Sequence, residues 1–348
     1  MFTDPLLERA RKEGNPLINS DTATFIWQGK TAPKLIEDLH GWEESPQEME
    51  RISPGLWAAT LTLPRDAYLE YAFLDPKTGQ RILDPLNPQR VWNGISNYNH
   101  FFYMPDAAPT PLVRPGKGIA RGTVSRHEVQ TEMLTASRRR TVYLYKPPTE
   151  EPVPLVVVYD GIDYLRRGKL AIILDNLIAQ KRIRPLALAL LQNGGQARFV
   201  EYGCSDITLA FLVETILPLA RQHLSLVDIK KHPGAYGVLG ASMGGVMALY
   251  TGLRLSKIFG KVLSQSGAFT LWERPSVAVD LVQYAPRPEM DIWMDVGRLE
   301  WLLEDNRKMR ALLKGKGYRV TYREVNGAHN FTSWRDDVWR GLEALFGG

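Results

Sequence analysis

From about residue 119 onward, short apolar runs that do not alternate with polar residues are separated by stretches in which apolar residues recur three and four apart. "VPLVVVYDG", "PLALALLQN", "GAYGVLGAS", "GKVLSQSG" and "DIWMDVG" are of the first kind, "KLAIILDNLIAQ" and "DITLAFLVETILPLARQHL" of the second. A strand that is apolar at every position is buried on both faces, as happens when helices cover both sides of a parallel sheet. The expectation for residues 119–348 is therefore a doubly wound, mostly parallel α/β sheet, with "RTVYLYKPP" and "YRVTYREV" as further strands. No internal repeat at a fixed period is visible.

The first part of the chain reads differently. Between residues 22 and 104, "TATFIWQG", "GLWAATLTLP", "YLEYAFLD" and "NHFFYMP" alternate or cluster β-branched and aromatic residues, punctuated by "DPKTGQ" and "DPLNP". A small antiparallel β-sandwich over residues 1–108 is expected, and the proline- and glycine-rich "PDAAPTPLVRPGKG" at 105–118 makes the boundary. Two domains also suit a chain of 348 residues, more than one core usually fills.

One junction carries a chemical motif. In "YGVLGASMGGVMALY", residues 236–250, glycines at 240, 244 and 245 bracket Ser242 in G-x-S-x-G spacing, after an apolar strand and before a helical stretch. A nucleophile elbow needs that setting, because the serine sits on a tight turn where only small neighbours avoid a clash. The positive end of the following helix favours an oxyanion over a neutral ground state. The alternative is a glycine-rich junction that serves packing alone.

A serine hydroxyl needs a base. His329, in "VNGAHNFTSWRDDVW", is the only histidine C-terminal to Ser242 and is the base by elimination. His40, His100, His127, His223 and His232 precede the serine and read as surface or structural residues. The orienting acid belongs between serine and histidine, where "DIWMDVGRLEWLLEDNRKM" offers Asp295, Glu300, Glu304 and Asp305. Glu300 follows the glycine that ends a strand and is preferred; Asp295, inside the strand, is second. Glu304 and Asp305 read as parts of the next helix. The oxyanion donors expected are the backbone N–H of Met243 and that of Gly161 or Ile162, in the loop "DGIDYLRRGK", with Asp160 shaping the loop.

Several classes are excluded by composition. At 44% hydrophobic and 23% charged residues the chain reads as an ordinary soluble globular protein. Its one cysteine, Cys204, forms no disulfide framework or zinc pair and reads as a partly buried thiol. The net charge is +5, but Lys and Arg are scattered rather than striped with aromatics, so nucleic acid is not an expected partner. Neither a membrane span nor a secretory h-region is present, and a cytoplasmic protein is the expectation. The sequence holds no metal-ligand cluster and no dinucleotide fingerprint, so neither metal nor cofactor is expected.

"VVVYDGIDY", "GASMGGVMALYTGL", "GKVLSQSGAFTLW", "VGRLEWLLEDNR" and "GAHNFTSWR" resemble segments of bacterial enterochelin (ferric enterobactin) esterases and of the wider esterase family that includes feruloyl and acetylxylan esterases. "TATFIWQGK", "DPLNP" and the tryptophans between them resemble the immunoglobulin-like N-terminal domain of enterochelin esterases. The resemblance implies an α/β-hydrolase preceded by an immunoglobulin-like sandwich, with Ser242 as nucleophile, His329 as base and Glu300 as acid. In some trilactone-cleaving relatives a Ser-His dyad suffices. The usual "GGHD" signature reads "GAHN" here, so Asn330 stands in place of an acid.

On this resemblance the substrate is a siderophore-like or aryl ester, hydrolysed through an acyl-enzyme. A ferric catecholate is anionic, which draws attention to Arg166, Arg167, Lys169 and Arg198 near the sheet's C-terminal edge. For Arg198, a loop-bracing pair with Glu201 is the alternative. Tyr164, Trp272 and Trp334 are candidates to line a pocket for aromatic rings, with core packing as the alternative for each and the preferred reading for Trp334. A feruloyl or acetylxylan type of carbohydrate esterase and a non-catalytic binding protein on a hydrolase fold are the competing functions.

Overall fold

A computed structural model of the chain describes residues 4–94, 97–134 and 138–347. These residues form two compact units. The larger comprises Thr110–Val296, Leu302–Glu324 and Phe331–Gly348.

The larger unit is built on an eight-stranded sheet: β1 Thr123–Gln130, β2 Arg139–Lys146, β3 Leu155–Val158, β4 Ala187–Leu191, β5 Tyr236–Ala241, β6 Phe259–Gln265, β7 Asp291–Gly297 and β8 Arg319–Val325. Their order in the sheet is β1-β2-β4-β3-β5-β6-β7-β8. The neighbours from β4 through β7 are parallel, whereas β2 runs antiparallel to both β1 and β4. The unbroken apolar runs are explained by what covers them. Leu155 and Val157 of β3 enter one buried cluster with helical residues such as Leu212, Ile216, Val246 and Leu313. Val156 and Val158 enter another with Ile173, Leu174, Val338 and Leu342. Successive side chains thus meet helices on opposite faces, and each buried aliphatic contributes roughly 1.5–3 kcal/mol.

Two elements differ from expectation. β1, "TVSRHEVQ", is an edge strand whose side chains are mostly exposed, so it lacks the apolar run that marked its neighbours. The segment expected as the loop "DGIDYLRRGK" instead begins a helix at once, Gly161–Arg166. Among the described residues no single helix is long and apolar enough to cross a membrane.

The smaller unit comprises Met1–Pro109 together with Gly297–Trp301 and Val325–Asn330. One antiparallel sheet runs in the order Leu17–Asn19, Thr22–Gln28, Leu56–Thr62, Glu50–Ser53. The other runs Lys34–Glu37, Tyr68–Leu74, Tyr98–Tyr103, Arg90–Trp92, with Arg81–Ile82 also paired to Tyr68–Leu74. Phe25 and Leu61 from the first sheet share a core with Tyr71, Phe73 and Phe102 from the second. Phe25 meets Tyr71 edge-on with ring centroids 4.8 Å apart, a geometry aromatic quadrupoles favour. Strand Tyr68–Leu74 is buried at every position, because its second face is covered as well: Ala72 and Leu74 form a small apolar cluster with Ile36, against which Trp42 packs. Glu70 on that face accepts hydrogen bonds from Asn99 Nδ2 at 2.7 Å and the Tyr68 hydroxyl at 3.1 Å.

Candidate active site

In the larger unit Ser242 sits between β5 and the helix Met243–Leu255, with φ 57° and ψ −121°. Positive φ in a residue bearing a Cβ costs about 1–3 kcal/mol and persists only when its surroundings over-determine it. Here the Ser242 N–H donates to the Gln265 carbonyl at 2.9 Å, and its carbonyl accepts from Gly245 at 2.9 Å and Ala268 at 3.1 Å. The flanking glycines are sterically required. A Cβ at 240 would stand 2.2 Å from the Gly244 carbonyl oxygen, and one at 245 would stand 2.9 Å from Ser264 Oγ and 3.0 Å from the Gln265 carbonyl. The serine is thus fixed on a sharp bend at the mouth of a helix, as the motif predicts.

A second turn lies beside it. After β3, Asp160 takes a left-handed conformation (φ 51°, ψ 38°) and the helix Gly161–Arg166 starts. The two turns touch: a Cβ at 244 would lie 3.3 Å from both Asp160 Oδ2 and Tyr159 Cβ. A Cβ at 161 would fall 2.3 Å from the Leu190 backbone. Met243, Gly161 and Ile162 therefore belong to the first turns of two neighbouring helices, where backbone N–H groups have no intrahelical acceptor. That is the donor supply an oxyanion requires.

Arg198 holds the second turn. Its Nε and Nη2 bind Asp160 Oδ1 and Oδ2 at 2.8 and 2.6 Å, and Asn193 Nδ2 adds a contact to Oδ1 at 2.5 Å. The Asp160 N–H donates to the Tyr202 hydroxyl at 3.1 Å. The bracing partner of Arg198 is thus Asp160 and not Glu201, which makes a buried ion pair with Arg140. With its guanidinium engaged in this way, Arg198 braces the Asp160 turn, and its side chain stays 22% exposed. Arg167 pairs with Asp163 at 3.2 Å, while Arg166 and Lys169 are exposed.

The aromatic candidates separate. Tyr164 is 0% exposed and its hydroxyl donates to Gln265 Oε1 at 2.9 Å, so the core-packing alternative describes it and the pocket-lining role does not. Burial raises that hydroxyl well above its ordinary pKa. Trp334 is also buried, its indole N–H donating to Ser266 Oγ at 2.9 Å. Trp272 is 72% exposed. Asp295 is buried and accepts from Trp293 Nε1 at 2.8 Å and Gln265 Nε2 at 3.1 Å, which makes it an acid of the interior. Glu304, in the helix Leu303–Gly315, pairs with Arg307 on the surface. Cys204 is buried, which pushes its thiol up to about 11.

In the smaller unit, Glu300 and His329 stand on two short segments joined by backbone hydrogen bonds. Arg298 N–H donates to the Val325 carbonyl at 2.8 Å and Leu299 N–H to the Gly327 carbonyl at 3.1 Å. The segments approach so closely that a Cβ at 297 would stand 2.3 Å from the Gly327 oxygen. Glu300 Oε1 accepts the Gly297 N–H at 2.8 Å, and Oε2 lies 2.5 Å from His329 Nδ1. The Glu300 side chain is fully buried and that of His329 is 14% exposed. A carboxylate oxygen accepts from an imidazole N–H, so this contact favours the tautomer protonated at Nδ1, which in the neutral ring leaves Nε2 as an acceptor. The Trp301 ring lies against the imidazole at 4.5 Å.

Residues unremarked in the sequence complete these settings. Gln265 links Tyr164, Asp295 and the Trp334 carbonyl beneath the serine turn. Asp38 and Asp66 accept hydrogen bonds from Asn330 and Asn326, either side of His329. No local motif marks them.

The mixed α/β fold matches solved enterobactin esterases. A ferric enterobactin esterase from Salmonella typhimurium superposes with a TM-score of 0.78 at 23% identity, over 93% of each chain. The Shigella flexneri enzyme in the presence of enterobactin gives 0.77 at 23% identity, over 93% of this chain and 92% of that one. In sequence, the chain is 24% identical to the iron(III) enterobactin esterase of Dickeya dadantii over 98% of its length and 92% of the relative's. A ferulic acid esterase superposes with a TM-score of 0.57 at 18% identity, over 65% of this chain and 98% of that one. The family model described as "Putative esterase" matches residues 134–345, well over half of the chain, and the protein belongs to that esterase family.

Proposed function

We propose that the protein is a serine esterase that hydrolyses carboxylic esters of a siderophore-like, enterobactin-type substrate. The larger unit serves as an α/β-hydrolase core and residues 1–108 as an immunoglobulin-like sandwich. The observation that carries the reading is the Ser242 elbow: a strained backbone enforced by glycines that admit no Cβ is retained where strain has a use.

In this reading Ser242 Oγ attacks the ester carbonyl while His329 Nε2 accepts the hydroxyl proton. Glu300 keeps the imidazole in the required tautomer and stabilises the imidazolium. The N–H of Met243 and of Gly161 or Ile162 donate to the oxyanion. His329 returns its proton to the departing alcohol, and water, deprotonated by the same imidazole, then attacks the acyl-enzyme and frees Ser242 and the acid. No cofactor is required, and a cytoplasmic setting is part of the same proposal. The substrate class is supported by a relative of that activity whose likeness covers 98% of the chain, whereas the ferulic acid esterase match covers 65%. Exposed Arg166 and Lys169, rather than Arg198, are the cations offered to an anionic chelate.

The test is a burst experiment with a short p-nitrophenyl ester. An initial release matching the enzyme concentration is expected, and Ser242→Ala should lower kcat by about 10⁴-fold or more. Rates on ferric enterobactin, methyl ferulate and acetylated xylan then rank the substrates. Faster turnover of ferulate or xylan would replace the proposed substrate, and a folded protein inert toward every ester would overturn the activity.

A further inference from the structure

The segments that carry Glu300 and His329 come late in the chain, yet Gly297–Trp301 and Val325–Asn330 fall in the compact unit built by Met1–Pro109. The grip on the histidine segment is polar and acts at both of its ends. At the start, Asn326 Nδ2 donates to Asp66 Oδ1 at 2.6 Å, and its carbonyl accepts the Tyr68 N–H at 3.4 Å. At the end, Asn330 Nδ2 donates to Asp38 Oδ2 at 3.1 Å, and both residues are buried. His329 lies between these anchors. Leu299, next to Glu300, packs against the aromatic core of the same unit.

Asp38 is itself firmly placed. Its Oδ2 also accepts the Glu70 N–H at 2.7 Å, and its Oδ1 accepts Trp42 Nε1 at 3.2 Å. Burial, then the nearby Glu70 and Glu37, raises its carboxyl well above the ordinary range. Such a group is costly unless donors surround it. Asn330 supplies one of those donors, so it cannot swing away without depriving a buried carboxyl of a partner.

We propose that Asp38 and Asn330 are positioning residues for the reaction, fixing the backbone that presents the His329 imidazole. The proposal rests on the esterase reading given above. A general base displaced by about 1 Å can lose 10²-fold in rate without touching substrate affinity, so this contact makes the N-terminal third part of the catalytic apparatus.

The test uses the full chain with Asn330→Ala, Asn330→Asp and, as a reference, Ser242→Ala. Three readouts are taken: kcat and KM on a p-nitrophenyl ester, thermal midpoint, and the low-field proton resonance of the imidazole–carboxylate hydrogen bond at His329 Nδ1. Asn330→Ala is expected to lower kcat by about 10- to 100-fold, with KM and thermal midpoint nearly unchanged, and to shift or broaden the resonance. Ser242→Ala should lower kcat by about 10⁴-fold or more and leave the resonance in place. Asn330→Asp opposes Asp38 with a second carboxyl, next to His329 and where Glu37, with its partner His40, and Glu70 already act on Asp38. Its deficit relative to the parent should shrink as pH falls, because protonating either carboxyl restores a donor; the Asn330→Ala deficit should stay constant. Unchanged kcat and resonance in Asn330→Ala would overturn the proposal. So would a loss in both variants that follows the thermal midpoint and ignores pH. If the parent turns over no ester, the esterase reading falls, but the resonance comparison still decides whether Asn330 orients His329.

Discussion

Ser242 occupies backbone space that favours glycine, and the cost is separable from the chemistry. Ser242→Gly and Ser242→Ala both remove the proposed nucleophile, but only the first relieves the positive φ. In urea titrations the glycine variant should be more stable than the alanine variant by about 1 kcal/mol. Glu300→Gln should lower kcat by about 10²- to 10⁴-fold without unfolding the protein, because one amide cannot accept from both the Gly297 N–H and the Nδ1 proton. Cys204 gives a test of burial: its thiol is raised to about 11, so little thiolate forms at pH 8, and Ellman's reagent should react only once denaturant opens the fold. The triad candidates are legible because their cues are local: a glycine spacing, a single downstream histidine, an acid after a strand-ending glycine. Asp38 is not, since it stands 292 residues from Asn330 and nothing around "EDLHGW" marks its partner. For Arg198 the sequence suggests the right place with the wrong partner, because Glu201 is close along the chain and Asp160 only in space.

The helices after β3 and β5 open side by side, and the turn before the first depends on a side-chain clamp. Arg198 fits Asp160 as a planar two-pronged donor, which an ammonium cannot reproduce. If the clamp sets the Gly161 and Ile162 amides, Arg198→Lys should lower kcat roughly tenfold and leave KM alone. A raised KM at constant kcat would return Arg198 to direct substrate binding. Strands buried on both faces can be read from sequence because little else in a water-soluble chain places so many apolar residues in an unbroken row between turn signals. β1 is hidden because an edge strand faces water along most of its length, and Gly161–Arg166 because six residues carry too little helical periodicity. Strand Lys34–Glu37 ends in the buried acid Glu37, a pattern that resembles a polar loop until its covering neighbours are known.

The chain passes from one compact unit to the other and back more than once: at Pro109, around Gly297–Trp301, and again around Val325–Asn330. Units that share a chain in this way cannot melt independently without pulling segments out of the partner still folded. Scanning calorimetry should therefore give one transition whose calorimetric and van't Hoff enthalpies agree, and two resolved peaks would contradict it. The sequence pattern alone leads to an expected boundary at residues 105–118 but carries no sign of the returning segments, because short loops reveal their allegiance only through contacts distant in sequence. The seat of His329 also bears on how such a protein can change over generations. A gene that lost its opening third would keep the codons for the proposed nucleophile and base, yet would discard the scaffold on which His329 is mounted, so shortening would have to follow the evolution of a new anchorage for that loop.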